Sequence, residues 1–200
     1  MAARITPQGR SNEKYDLILR AAIKVFAKNG FFNSKVADVA RAAGVADGTV
    51  YLYFKNKDDI LISIFNDTMT RVLTDLKNDL SEITDPRDQL RHVAVSHLGR
   101  MTRDRNLAIV FQVELRQSTK FMEQFSATKV AEYFDMIGNI ISKGQANGLF
   151  RSQLNPKIVT KVFFGALDEM ATNWILSRKK YDLIAIAEPI LDLFFNGVTV

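Results

Sequence analysis

Apolar residues recur at steps of three and four along almost the whole chain, and no stretch of useful length alternates. That spacing lines one side of a helix, so the pattern predicts an all-α protein. A first helix is expected from Glu13 to Asn29, with Ile18, Ala22, Val25 and Phe26 on one face and Gly30 at its end. Phe31 and Phe32 fall in the link that follows. Ser34 is a good N-cap for a short helix ending near Ala43–Gly44, and a second short helix covers Asp47 to Tyr53. Asn56 can cap a long helix that aligns Leu61, Phe65, Met69, Val72, Leu76 and Leu80.

Asp85, as cap, and Pro86, as first helical residue, open a helix reaching Arg103. "NLAIVFQVELRQS" predicts another near 106–117. A long helix is expected from Thr119 to Asn147, with Val130, Phe134, Ile137 and Ile141 inward and Gly148 as its stop. Asn155-Pro156 begins the next, with Val159, Phe163, Ala166, Met170 and Trp174 in register. The last, Asp182 to Asn196, is apolar on nearly every side, as a helix in a subunit interface is. The chain thus reads as about nine helices. They divide into a small three-helix module at 1–57 and a larger bundle at 58–200.

Charge separates the same two parts. The chain carries a net +5, but residues 1–57 hold ten Lys/Arg against four Asp/Glu, and 58–200 hold seventeen against eighteen. A basic module beside a neutral bundle points to a polyanion, either nucleic acid or an anionic membrane face. No apolar run is long enough to span a bilayer, so membrane insertion is not expected. The basic, polar start lacks the apolar stretch of a secretory signal, which places the protein in the cytoplasm. There is no cysteine, hence no disulfide, thiolate nucleophile or thiolate metal site. The two histidines, His92 and His97, stand five apart, a poor spacing for a shared metal, and read as ordinary surface or interface residues. No catalytic or metal-ligating constellation and no phosphate-cradling glycine motif emerges, so no enzyme and no cofactor is expected.

The segment "VADVARAAGVADGTVYLYF" carries the sharpest signal. Ala40 is small where two helices would cross, Gly44 supplies a left-handed turn, and Val39, Val45, Val50 and Phe54 close an apolar side. This is the pattern of a helix-turn-helix, whose second helix enters the major groove of DNA. Asp47, Gly48, Tyr51 and Leu52 lie on the outer face of that helix, within reach of base edges. Ser34 and Lys35, at the start of the preceding helix, offer a hydroxyl, a backbone N–H and a charge to phosphate. Arg4 and Arg10 are candidates for a basic arm along the duplex.

From Tyr15 to Leu61 the chain resembles the DNA-binding module of the TetR family of bacterial transcriptional regulators, through "AGV", "GTVYLYF" and "KNKDDIL" above all. Length and helical layout agree over the whole chain. The resemblance implies a homodimer on a palindromic operator, released when a small molecule enters the C-terminal bundle. It also implies phosphate contacts by Thr49, Tyr53 and Lys57. Ala46 departs from the pattern, which often has a hydroxyl cap there, and Asp47 is the available substitute.

Three segments, "VADGTVYLYFKNKDDILISIF", "NLAIVFQVELRQS" and "FGALDEMATNWI…KKYDLIAIAEPILDLFFNGV", are similar to the acyl-CoA-responsive repressors of fatty-acid degradation within that family. The implied effector is a long-chain fatty acyl-CoA. Its tail needs an apolar slot, and its pantetheine and phosphates need cations and donors. Candidate lining residues are Phe111, Val113, Phe134, Ile137, Phe163, Leu167, Met170 and Trp174. Candidate polar contacts are Arg103, Arg105, Asn106, Gln112 and Arg116, although Arg116 has Glu114, Asp168 and Glu169 as alternative partners inside the bundle. Two competing readings stay open: a sensor of lipophilic cations, using rings and carboxylates, and a lipid carrier without DNA function. The helices around 156–178 and 182–197 are the expected dimer contacts.

Overall fold

The computed structural model describes residues 7–117, 121, 123, 128–178 and 181–199, the first six of these by their backbone alone. Among them are nine α-helices: α1 Pro7–Asn29, α2 Val36–Ala43, α3 Asp47–Tyr51, α4 Lys57–Ser81, α5 Pro86–Arg103, α6 Arg105–Ile109, α7 Lys129–Ala146, α8 Pro156–Leu176 and α9 Ala187–Val198. The expected arm residue Arg4, the side chain of Arg10 and the expected helix start at Thr119 lie outside the described residues.

Helix starts follow local chemistry. The Asn56 side chain accepts from the Asp59 N–H at 2.9 Å, Asp85 from Arg87 at 2.6 Å, and Asn155 from Lys157 at 2.9 Å. Each satisfies a backbone donor that the first helical turn leaves free. Ser34 does otherwise, and this corrects the expectation. The cap of α2 is Lys35, whose N–H donates to Asp38 at 3.0 Å, while the buried Ser34 hydroxyl turns back to the Gly30 carbonyl at 2.7 Å. Ala46, not Asp47, is the cap of α3, and it supplies no side-chain acceptor.

Two expected helices have different shapes. The segment near 106–117 continues from α6 through a π-helical turn, Val110–Glu114, and a 3₁₀ turn, Leu115–Gln117. Gln112 and Glu114 are both buried on this π-turn. The last helix starts late: Asp182 accepts from the Ile184 and Ala185 N–H groups, a 3₁₀ turn covers Ile184–Ile186, and α9 runs from Ala187.

Two apolar cores result. One joins α1–α3 to the first half of α4, as far as Phe65, and takes in Val110, Leu115 and Phe121. The other begins at Leu73 and gathers α5, α7, α8 and α9. Met69 packs against both. Helix α4 is therefore a shared beam, and the head is seated on the body through the π-turn as well.

Gly144 shows how tightly the second core closes. A Cβ there would overlap the ring of Phe150, itself 2% exposed. Gly144→Ala is expected to destabilise the fold by about 1–3 kcal/mol despite alanine's better helix propensity. Gly48→Ala, where a Cβ meets nothing within 4 Å, is expected to leave the melting temperature unchanged or higher. Differential scanning calorimetry of the two variants reads the contrast.

Candidate nucleic-acid interface and effector body

The head is built so that its shortest helix projects. Val39, Ala40, Val50 and Phe54 are buried, with Ala40 and Val50 at 0% exposure, so α2 and α3 can cross closely. Gly44, at φ 67°, makes the turn between them, and the Val45 N–H returns to the Ala40 carbonyl at 3.0 Å. Only glycine holds that backbone without strain. With the inner face fixed, Asp47, Gly48, Tyr51 and Leu52 all face outward, Tyr51 57% and Leu52 82% exposed. Nothing inside the molecule requires a glycine at position 48, since the space beyond its Cα is open and its φ is not positive. Thr49 is half-buried beside them, and Lys35 is exposed. Tyr53 is half-buried, its ring tilted 6.5 Å from Tyr15 and 6.4 Å from Phe54. Lys24 and Lys28 on α1 and Arg41 on α2, the last paired with Asp38 at 3.4 Å, line one groove with a net basic edge that a search centred on the recognition helix passes over. Their signal in the sequence is the i, i+4 pair on α1.

Lys57, expected at phosphate, is engaged inside the head in this structure. Its ammonium donates to the carbonyls of Phe31 at 2.6 Å, Ser34 at 2.9 Å and Phe32 at 3.1 Å, and lies 4.5 Å over the Phe31 ring. All three ammonium donors are engaged by these carbonyls. Burial lowers its pKa from the usual lysine value, which Asp58 opposes. Phe31 is gripped from its other side as well. Its N–H donates to the buried Glu114 carboxylate at 2.6 Å. One residue of the head is thus held by α4 through its carbonyl and by the body's π-turn through its amide. Sequence reading gave Phe31 no role and Glu114 only that of a partner for Arg116.

In the body, Phe134, Ile137, Phe163, Leu167, Met170 and Trp174 come together in the second core. Ile137, Phe163 and Leu167 are fully buried, so they serve as packing as much as lining. Phe111 is not brought to them; it stacks on Phe65 at 5.6 Å, against the first core. Val113 is half-buried on the π-turn. Arg116 binds both oxygens of Asp168 at 2.6 and 2.7 Å, and Gln112 donates to the same carboxylate at 2.9 Å while accepting from Thr172. Arg105 donates to the Ile175 carbonyl at 2.7 Å and stacks 4.9 Å from Trp174. Arg103 and Asn106 are exposed at the α5–α6 corner.

His92 pairs with Asp79 at 2.9 Å on the surface, as expected, but His97 faces the bundle interior. Its ring meets Phe164 edge-on at 5.6 Å, and its Nδ1 lies 3.5 Å from the Tyr133 hydroxyl. Burial drives its pKa down from 6.5 to about 4, with Asp168 opposing and Arg116 and Arg100 assisting. Burial likewise pushes the Tyr133 phenol well up, opposed by Arg100 and assisted by Asp168. An imidazole that takes its proton near 6.5 unfolded and near 4 folded makes the fold about 3 kcal/mol more stable above pH 6.5 than in acid, although burying the ring is itself a cost. That difference is lost as pH falls from 6.5 toward 4, because the unfolded chain then binds the proton first. His97→Leu is expected to remove this part of the acid slope in urea midpoints compared at pH 7 and pH 4.5.

Fold and surface together define a class: a helix-turn-helix head that reads duplex DNA, carried on a helical body. The family model for bacterial regulatory proteins of the tetR family matches residues 18–64, and the model for the YsiA-like protein C-terminal region matches residues 65–197. The chain belongs to the tetR family of bacterial regulatory proteins, a family of regulators rather than enzymes. It is 38% identical over 185 residues to the fatty acid metabolism regulator protein of Bacillus subtilis, covering 92% of this chain and 95% of that one. Two solved structures superpose closely, each 37% identical and covering 92% of this chain and 98% of the other. They are the fatty acid degradation regulator FadR from Bacillus halodurans, at a TM-score of 0.86, and FadR from Bacillus subtilis in complex with stearoyl-CoA, at 0.87. No helix among the described residues is long and apolar enough to cross a membrane.

Proposed function

We propose that the protein is a dimeric repressor of fatty-acid degradation genes that long-chain acyl-CoA lifts from a palindromic operator. The observation that carries this reading is the extent of the likeness to the Bacillus subtilis regulator, which runs through the body where effectors bind and not through the head alone. The FadR structure holding stearoyl-CoA supplies the chemistry of the effector. Residues 1–57 act as the operator-binding head and 58–200 as the effector and dimerisation body, in the cytoplasm where the chromosome is. Asp47, Gly48, Tyr51 and Leu52 read bases, and Lys35, Thr49 and Tyr53 hold phosphates. Exposed Ile158, Val162 and Leu176 on α8 and Leu193 on α9 form the apolar face that pairs two copies.

The switch is geometric. Two recognition helices must sit roughly 34–36 Å apart to meet successive major grooves. An acyl tail entering the body displaces α4, which is anchored in both cores, and the spacing fails. A coupling of about 1–3 kcal/mol suffices. Asp168, one carboxylate that a sensor of lipophilic cations could use, is instead neutralised by Arg116 and bonded by Gln112. A carrier would have no use for the exposed face of α3.

The test pairs native mass spectrometry of the protein expressed in bacteria with gel shifts on DNA flanking its gene. The expected result is a dimer with a salt-sensitive, sequence-specific complex that acyl-CoA dissolves in a chain-length-dependent way. Release by lipophilic cations and not by acyl-CoA would overturn the effector, and absence of a specific complex would overturn the regulator.

A further inference from the structure

The interior of the body contains a ring nitrogen without a partner among the described residues. His97 Nε2 is sealed from solvent and, among the described residues, has no hydrogen-bond partner. A neutral imidazole has one donor and one acceptor nitrogen. The Tyr133 hydroxyl stands 3.5 Å from Nδ1, and a phenol O–H donating there fixes the ring proton on Nε2. Phe164 packs edge-on against both rings and against Phe134, so aromatic carbon lines this side of the pair. Proteins seldom leave a buried N–H unsatisfied, because the desolvation is not recovered.

The character of this site selects its ligand. A neutral N–H donor repels a cation. The nearby charges, Asp168, Arg116 and Arg100, include the pair closed at 2.6 Å, which leaves no net charge from that pair to attract an ion. What suits a neutral donor among rings is a neutral acceptor at the head of an apolar tail. We propose, building on the acyl-CoA reading above, that His97 Nε2 donates to the carbonyl oxygen of the effector's thioester, with Tyr133 holding the imidazole in the required tautomer. The protein thereby recognises the activated ester itself, beyond the length of its chain.

The experiment is titration calorimetry with stearoyl-CoA, the ligand of the Bacillus subtilis relative, and with its S-octadecyl thioether, which keeps tail, pantetheine and phosphates but lacks the carbonyl oxygen. The wild type is expected to bind the thioester about tenfold more tightly, the worth of one neutral hydrogen bond to a buried donor. His97→Leu is expected to bind both equally while still folding, since it removes an unsatisfied polar group. In the wild type, the Nε2 proton resonance is expected to move with the thioester and stay with the thioether, a response that a packing role would not give. Equal affinities in the wild type, or an undiminished preference in His97→Leu, would overturn the proposal with the acyl-CoA reading intact. If the wild type binds neither compound, the acyl-CoA reading falls, and this proposal with it.

Discussion

Tyr51→Ala is expected to fold like the parent and to lose its operator. The ring is 57% exposed and contributes to neither core, so its removal should shift the melting temperature by no more than about a degree. Its place on the outer face of α3 is fixed by Val50 and Phe54, both buried beneath it. Side chains that reach base edges carry about 1–3 kcal/mol each. A dimer presents the residue twice, so about 2–6 kcal/mol is at stake, a weakening of at least roughly 30-fold. Gel shifts on the wild-type operator at constant salt measure it. An unchanged affinity in a folded Tyr51→Ala dimer would remove α3 from the groove.

Lys57→Met is expected to do the opposite kind of damage. Methionine keeps most of the apolar stem but gives up three hydrogen bonds to Phe31, Phe32 and Ser34 and the cation over the Phe31 ring. The Phe31 carbonyl keeps the Ser34 N–H at 3.2 Å, but each charge-assisted bond lost from a partly buried turn costs about 1 kcal/mol once water has recovered part of the loss. Stability is expected to fall by about 2–4 kcal/mol. Operator affinity should fall mainly because the Phe31–Ser34 turn, which sets the start of α2, is loosened. A lysine that served phosphate would behave differently: the melting temperature would hold, and the salt dependence of binding would lessen by about one counterion per site. Thermal melts and a salt titration on the same variant separate the two roles.

These two residues mark how far the sequence could be read. Tyr51 was placed correctly on the outer face because its orientation follows from Val50 and Phe54, neighbours within three positions whose apolar character is plain. The contacts of Lys57 could not be read that way, because its partners lie 23 to 26 positions earlier and are main-chain carbonyls, which have no signature in the sequence. The stripe on α7 was read through Val130, Phe134, Ile137 and Ile141. Tyr133 and Ile140, equally part of the buried face, were missed since a helix that packs on several neighbours buries more than one row.

The sequence by itself determined the all-helical fold, the caps at Asn56, Asp85 and Asn155, the helix-turn-helix and the basic head, because each depends on interactions within about four residues or on composition. The tertiary structure alone decided that Glu114 reaches Phe31 across 83 positions and that His97 meets Tyr133 across 36. Such contacts depend on how helices rotate and slide when their apolar faces are buried together. A π-turn or a shift of one residue would exchange one polar partner for another without altering the local pattern that built the helices.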